Sequence, residues 1–363
     1  MGPSTPRTRR AAVPGQRTAD TAFQPLADES LASWINAMAR HSGVETRALL
    51  REFQLSRDGA LTMAQTRLSE QSVRRLSRKT GISEAVLHGM TLARYAGNAL
   101  PHLPVSPWVD GAAVRQWSSS AWLMDHEARW CARCLREDDM RWPLRWMLPW
   151  NFACLRHRVY MATECVRCLS PVRFGRHLSL DRSCDARVED ARRRYGHDGP
   201  CAYPITMHRP LPVSDEAVLG LQTRISTWLD GSATVDDRQL VSLTAVMIML
   251  VTPVMLRRSG EDPALLCNLR SRRYVGRMAE RRLWADPLRV AAAASVAQRV
   301  LSSRPSAAEV ARHVADLRSL DYRDAPWRLD VMEWAYGAAL RPNPYVEELV
   351  RQGVITIGSY KQA

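Results

Sequence analysis

The chain has 363 residues, 46% of them hydrophobic, with a formal net charge of +14 and a sequence pI near 10.0. That length suffices for two or three domains and that apolar fraction for a real core, which excludes a low-complexity or wholly disordered chain. The basic surplus excludes an acidic solvating protein and points to a polyanion partner, nucleic acid first. Lys occurs only at Lys79 and Lys361, so the charge is carried by Arg. Arg stays charged when partly buried and binds phosphate and guanine through two parallel hydrogen bonds. A codon bias accounts for Arg over Lys, but not for the surplus over Asp and Glu.

In chain order, residues 1–22 read as a flexible basic arm: the first twenty hold four Arg, three Pro and two Gly with no apolar run. Residues 30–53 place Leu31, Trp34, Ile35, Met38 and Ala39 at helical spacing, with Gly43 as a stop. Residues 72–96 predict two short helices broken at Gly81, and 101–125 are Pro- and Trp-rich and irregular. Short strands and turns are expected across the cysteine window, 131–201. Beyond Pro212 the pattern turns helical at 214–229, 236–255, 263–285, 288–301 and 306–320, with two more helices in 326–353. The apolar run 240–256 is interrupted by Ser242, Thr244, Thr252 and Pro253. It falls short of the ~20 residues that span a bilayer, so a buried helix is expected and no membrane partner. No export leader is visible, which makes the cytosol the expected compartment.

Seven of the eight Cys fall within the 71 residues from 131 to 201. In a reducing compartment such a cluster favours metal over disulfides. Cys131-x2-Cys134 is followed, after 19 residues, by Cys154-x2-His157. Two knuckles of equal spacing complete a tetrahedron, and Zn–S bonds near ~2.3 Å leave little freedom in that spacing. A second knuckle, Cys165-x2-Cys168, finds its simplest partners in Cys184 and Cys201, with His177 and His197 as competitors. The bland alternative is a set of reduced, buried cysteines. Cys267, far from the window, reads as a small core residue. A closed four-ligand site leaves no position for substrate or water, so both zinc ions are expected to be structural. The expected fold is mainly α, with small zinc-ribbon or knuckle β elements and helix-turn-helix units flanking the two sites. Residues 23–210 would form the unit with helix-turn-helix and zinc, and 211–363 a helical unit that could hold a further helix-turn-helix.

Nothing marks catalysis. The H-x-E and P-C-x-x-C signature of zinc deaminases is missing, since His126 is followed directly by Glu127 and Trp130 stands in the Pro position. HExxH, a phosphate-binding GxxxxGK loop and a GxSxG elbow are also missing. The chain is therefore expected not to be an enzyme.

Candidate DNA contacts fall in three places. Residues 73–90 fit a helix-turn-helix, with Ser77 at the helix contact, Gly81 in the turn, Ile82 and Leu87 at the corner and Ser83 as a cap. Arg74, Arg75, Arg78 and Lys79 lie near enough to meet phosphates; a helical pair that only builds the core is the plainer reading. Arg270, Arg273, Arg277 and Arg281 share one helix face, and Arg192, Arg193 and Arg194 form a loop cluster. Either set could equally be a solvated face. Trp142, Trp146 and Trp150 are spaced like a stacking platform, but Pro143 and Pro149 favour packing instead.

With these residues assembled, the chain resembles the TniQ family, which includes TnsD-type target selectors. The resemblance rests on WCARCLRED, RWPLRWMLPW and CLRHRVYMATECVRCLSPV, and on an opening, QPLADESLASWINAMARHSGV, similar to the family's E-S-L-x-S-W helix. It covers roughly residues 23–170. Many relatives close the second site with a compact C-x-C-G; here Cys184 stands in SCDARVEDARRRYG and Cys201 follows an inserted basic loop. The resemblance implies a bacterial accessory protein that selects a transposition target and recruits an AAA+ ATPase of the TniB/TnsC type. That ATPase engages the transposase complex. Targeting would proceed by direct DNA binding or through a Cascade complex with its guide RNA, and a homodimer is plausible. The alternative is a zinc-containing helix-turn-helix transcription regulator.

Overall fold

The computed structural model describes residues 23–55, 65–96, 98–100, 129–172, 183, 184, 186, 201–250, 286–302, 306, 308, 309, 312, 347, 348, 351 and 352. The expected arm at 1–22, the helix at 263–285, Cys267, and most of the helices expected in 306–320 and 326–353 lie outside the described residues.

Helix α1, Leu31–Ser42, begins where the Ser30 hydroxyl accepts a hydrogen bond from the Ser33 amide at 3.3 Å. This satisfies one of the orphan donors of a helix start. The helix ends at Gly43, whose φ of 64° lets the chain turn left-handed without a Cβ clash. Leu31, Trp34, Ile35 and Ala39 form its buried face. After the short α2, Thr46–Glu52, come α3, Glu70–Thr80, and α4, Glu84–Gly89, which pack on each other. Gly81, at φ 73°, ends α3, and the Ser83 hydroxyl caps α4. Val73, Leu76, Ile82 and Leu87 are buried at their junction.

Short elements dominate the middle. Helix α5, Ala132–Glu137, is followed by a 3-10 turn, Leu144–Met147. Strands β1, Ala153–Cys154, and β2, Val159–Tyr160, pair antiparallel, with Ala153 opposite Tyr160. A second 3-10 turn, Ile205–Met207, packs on α5. Helices α6, Glu216–Leu229, α7, Val235–Leu250, and α8, Pro287–Ser302, follow and pack together. α7 starts on a reciprocal cap: the Thr234 hydroxyl donates to Asp237 at 2.6 Å and accepts from the Asp237 amide at 3.2 Å. Ala291 to Ala294 in α8 are all fully buried. Among the described residues no helix is long and apolar enough to cross a membrane.

The start of α1 is locked onto the Trp-rich segment 142–150. The Ser30 amide donates to the Trp142 carbonyl at 3.0 Å, and the Trp142 amide to the Ser33 hydroxyl at 2.8 Å. Beneath these bonds the buried Glu29 carboxylate receives the Arg141 guanidinium at both oxygens and the Ser33 hydroxyl at 2.6 Å. A buried carboxylate is tolerable only when paired and hydrogen-bonded in this way. Next to it, Asp28 pairs with Arg145 and, at 3.1 Å, with Arg94; Asp230 at the end of α6 joins both arginines. Burial alone would lower the pKa of Arg145, but Asp28 and Asp230 offset it and raise the value. Burial, reinforced by Asp28, raises the Tyr95 phenol and keeps it protonated.

Trp142, Trp146 and Trp150 are all buried, as the packing alternative requires. Trp142 and Trp146 meet edge to face, as do Trp150 and Trp228 of α6. Gln222 of α6 also reaches back to this segment: its side-chain oxygen accepts from the Phe152 and Ala153 amides at 2.8 and 2.9 Å.

Candidate metal centres

The first set assembles from α5 and the β1–β2 turn. Cys131 stands at the N-cap of α5 and Cys134 in its first turn, so both thiols project from one end of the helix. Cys154 ends β1 and His157 lies in the turn that follows, which Arg158 closes at φ 54°. The His157 Nδ1 atom lies 3.4 Å from Cys131 Sγ, 3.2 Å from Cys134 Sγ and 3.5 Å from Cys154 Sγ. Cys134 and Cys154 sulfurs are 3.6 Å apart.

The second set is built from Cys165, Cys168, Cys184 and Cys201, all buried. Cys165–Cys201 and Cys168–Cys184 sulfur separations are 3.7 and 3.6 Å. The Cys165–Cys168 turn closes through a Leu169 amide bond to the Cys165 carbonyl at 2.8 Å, with Leu169 at φ 53°. Cys184 and Cys201 meet because the chain pairs on either side of them. The Cys184 amide donates to the Tyr203 carbonyl at 2.7 Å, and the Ala202 amide to the Cys184 carbonyl at 3.1 Å.

Within each set all four ligand atoms lie within 4.8 Å of one another. A zinc tetrahedron with bonds near ~2.3 Å to sulfur places neighbouring ligand atoms about 3.6–3.8 Å apart. The sulfur–sulfur separations of 3.6–3.7 Å match that figure and far exceed a covalent S–S bond of about 2.05 Å. Side-chain hydrogen bonds with Cys134 and Cys154 pull the Cys131 thiol down, and those with Cys131 and Cys154 push Cys134 up. In the second set a bond from Cys184 pulls Cys165 down. In each set the hydrogen bonding among the thiols thus favours ionisation at one of them, the form that binds metal. Three sulfurs with one imidazole, and four sulfurs, are both zinc donor sets with no open position.

The eight residues expected as ligands are thus brought together in two groups of four. Cys184 and Cys201 complete the second, while their competitors His177 and His197 lie outside the described residues.

The DNA candidates are placed less uniformly. Arg74 pairs with Glu70 at 3.2 Å and remains exposed, as does Arg78. Arg75 and Lys79 instead donate to the Phe53 and Glu52 carbonyls at 3.5 and 2.9 Å. Those carbonyls end α2, where cations suit the helix dipole. Arg192, Arg193, Arg194, Arg270, Arg273, Arg277 and Arg281 lie outside the described residues.

Sequence reasoning missed Glu137. Both of its oxygens lie against His157 Nε2, at 2.9 and 3.0 Å, and Arg156 holds it at 2.6 Å. The signal available was the rule that a metal-bound imidazole needs an acceptor for its other nitrogen.

The sequence profile of the TniQ family matches residues 21–161. The chain carries a TniQ-family region. The match contains the whole first ligand set, the α1 start and the Trp-rich segment, and ends before Cys165. TniQ is a family of transposition-associated accessory proteins. No curated protein matches the chain.

Proposed function

We propose that this TniQ-type chain selects or marks a DNA site for transposition and recruits an AAA+ ATPase of the TniB/TnsC type, which then engages the transposase complex. It acts in the bacterial cytoplasm without chemistry of its own. Two zinc ions, held by Cys131, Cys134, Cys154 and His157 and by Cys165, Cys168, Cys184 and Cys201, would serve as structural centres that fix the chain between its helical parts.

The observation that carries this reading is the first ligand set itself. It is closed by four protein donors and sits inside the TniQ-matched segment. A closed site orders a binding scaffold and offers nothing to a substrate.

DNA would be met by the α3–α4 pair acting as a helix-turn-helix. Arg74 and Arg78 are its freest phosphate ligands, while Arg75 and Lys79 are engaged at the end of α2. The loop cluster Arg192, Arg193 and Arg194 and the stripe Arg270, Arg273, Arg277 and Arg281 would add backbone contacts. Docking on a Cascade complex with guide RNA, in place of direct reading, would leave the same recruitment role, and a homodimer is compatible with it.

The test reconstitutes the purified chain with the AAA+ ATPase and transposase encoded beside it, on duplex DNA. The expected result is ATPase recruitment that depends on this chain. Affinity for DNA should fall linearly on a log scale with salt. No strand cleavage is expected with magnesium or manganese. DNA binding without ATPase recruitment would turn the assignment toward a zinc-containing helix-turn-helix transcription regulator, and metal-dependent cleavage would end it.

A further inference from the structure

We infer that Glu137 is the outer-shell anchor of the first metal centre, fixing His157 with Nδ1 toward the ion and governing how firmly that ion is kept. The inference rests on the zinc reading above. His157 Nδ1 faces all three sulfurs at 3.2–3.5 Å, so it is the donor atom. Nε2 faces both Glu137 oxygens, at 2.9 and 3.0 Å. An ionised carboxylate can only accept, so Nε2 carries the proton and Nδ1 is left with its lone pair free for metal.

Glu137 stands at the end of α5, the helix that supplies Cys131 and Cys134. His157 belongs to the turn that supplies Cys154. The Glu137–His157 bond therefore ties together the two halves of the centre. Arg156, from the same turn, binds Glu137 at 2.6 Å and Asp138 at 3.0 Å and so doubles the tie. The His157 side chain is 10% exposed and Glu137 45% exposed. The anchor thus guards the edge of the centre that water or a chelator reaches first. The second centre is spanned differently, by Arg167 donating to the Cys201 carbonyl at 3.1 Å. Loss of Glu137 should therefore affect one ion and spare the other.

The experiment measures zinc transfer from the full chain to a chromogenic chelator, in the wild type and in E137A and E137Q. The wild type should release two zinc ions. E137A should speed one of the two release phases by roughly 10–100-fold, the usual effect of removing an outer-shell partner, and leave the other unchanged. E137Q keeps an acceptor oxygen and should recover part of the loss. Nitrogen-resolved NMR of His157 separates positioning from general loosening. The Nε2 proton should be observable in the wild type and in E137Q, and lost to exchange in E137A. Wild-type release of both ions from E137A would overturn the anchor role while leaving the zinc reading intact. A wild-type chain holding no zinc would overturn both.

Discussion

The centre of the molecule and its α7–α8 pair are stabilised by different means. Around the two ligand sets the backbone offers two-residue strands, a six-residue helix and 3-10 turns. None of these could persist alone, since a short helix lacks the hydrogen bonds to offset its nucleation cost. Order there comes from ligand convergence and from long-range ties such as Glu29–Arg141. α7 and α8 are sixteen residues each and hold one another through apolar burial and capping. On the zinc reading, metal would serve where secondary structure is too short to carry the fold, and would be superfluous where helices are long enough.

The strongest attempt to break this contrast is Cys134→Ser. Structural zinc contributes about 10–16 kcal/mol, which exceeds the stability of most domains. The variant should lose one zinc, its near-ultraviolet tertiary signal and its protease resistance across 129–172, while the helical signal of α7 and α8 survives. A zinc-free variant as resistant as the wild type would remove the contrast altogether.

Next in size is Arg141→Ala. It leaves the Glu29 carboxylate buried without its guanidinium, at a cost of about 3–5 kcal/mol. Denaturant unfolding should show the loss even with both zinc ions retained, and an unchanged midpoint would mean that the ion pair is dispensable. Gln222→Ala strands the Phe152 and Ala153 amides, and should cost about 1–3 kcal/mol. Because those amides flank β1, zinc release from the first centre should quicken in the same variant. Smallest is Thr234→Ala, which removes the α7 cap for about 1 kcal/mol. Its effect should be the same with or without a chelator, because it lies in the part that does not depend on metal. A chelator-dependent effect would blur the two regions into one.

Legibility in the sequence followed the range of the interaction. Gly43, Gly81 and Ser83 act within a few residues: α1 ends at Gly43, α3 ends at Gly81 and α4 begins after Ser83, as those residues predict. The ligand sets were legible over a longer span because four donors at fixed spacing admit few arrangements. Gln222 was not legible. A lone Gln on a helix reads as solvated, and only the fold reveals that it reaches residues 152 and 153. The buried Glu29 was hidden for the same reason, since its partner Arg141 is 112 positions away. Arg75 and Lys79 teach the converse: basic residues at the end of a helix can be occupied by a neighbouring helix terminus as readily as by a phosphate.

The pairing of Cys184 with Tyr203 and Ala202 also bears on the long stretch of sequence between Cys184 and Cys201. The ladder shuts beside the thiols, so Cys184 and Cys201 are held together by backbone pairing as well as by their sulfurs. Doubling the length of such a span adds only about 0.6 kcal/mol of closure entropy. Inserting or removing residues between Cys184 and Cys201 should therefore change the closure cost little while the four sulfurs keep their places.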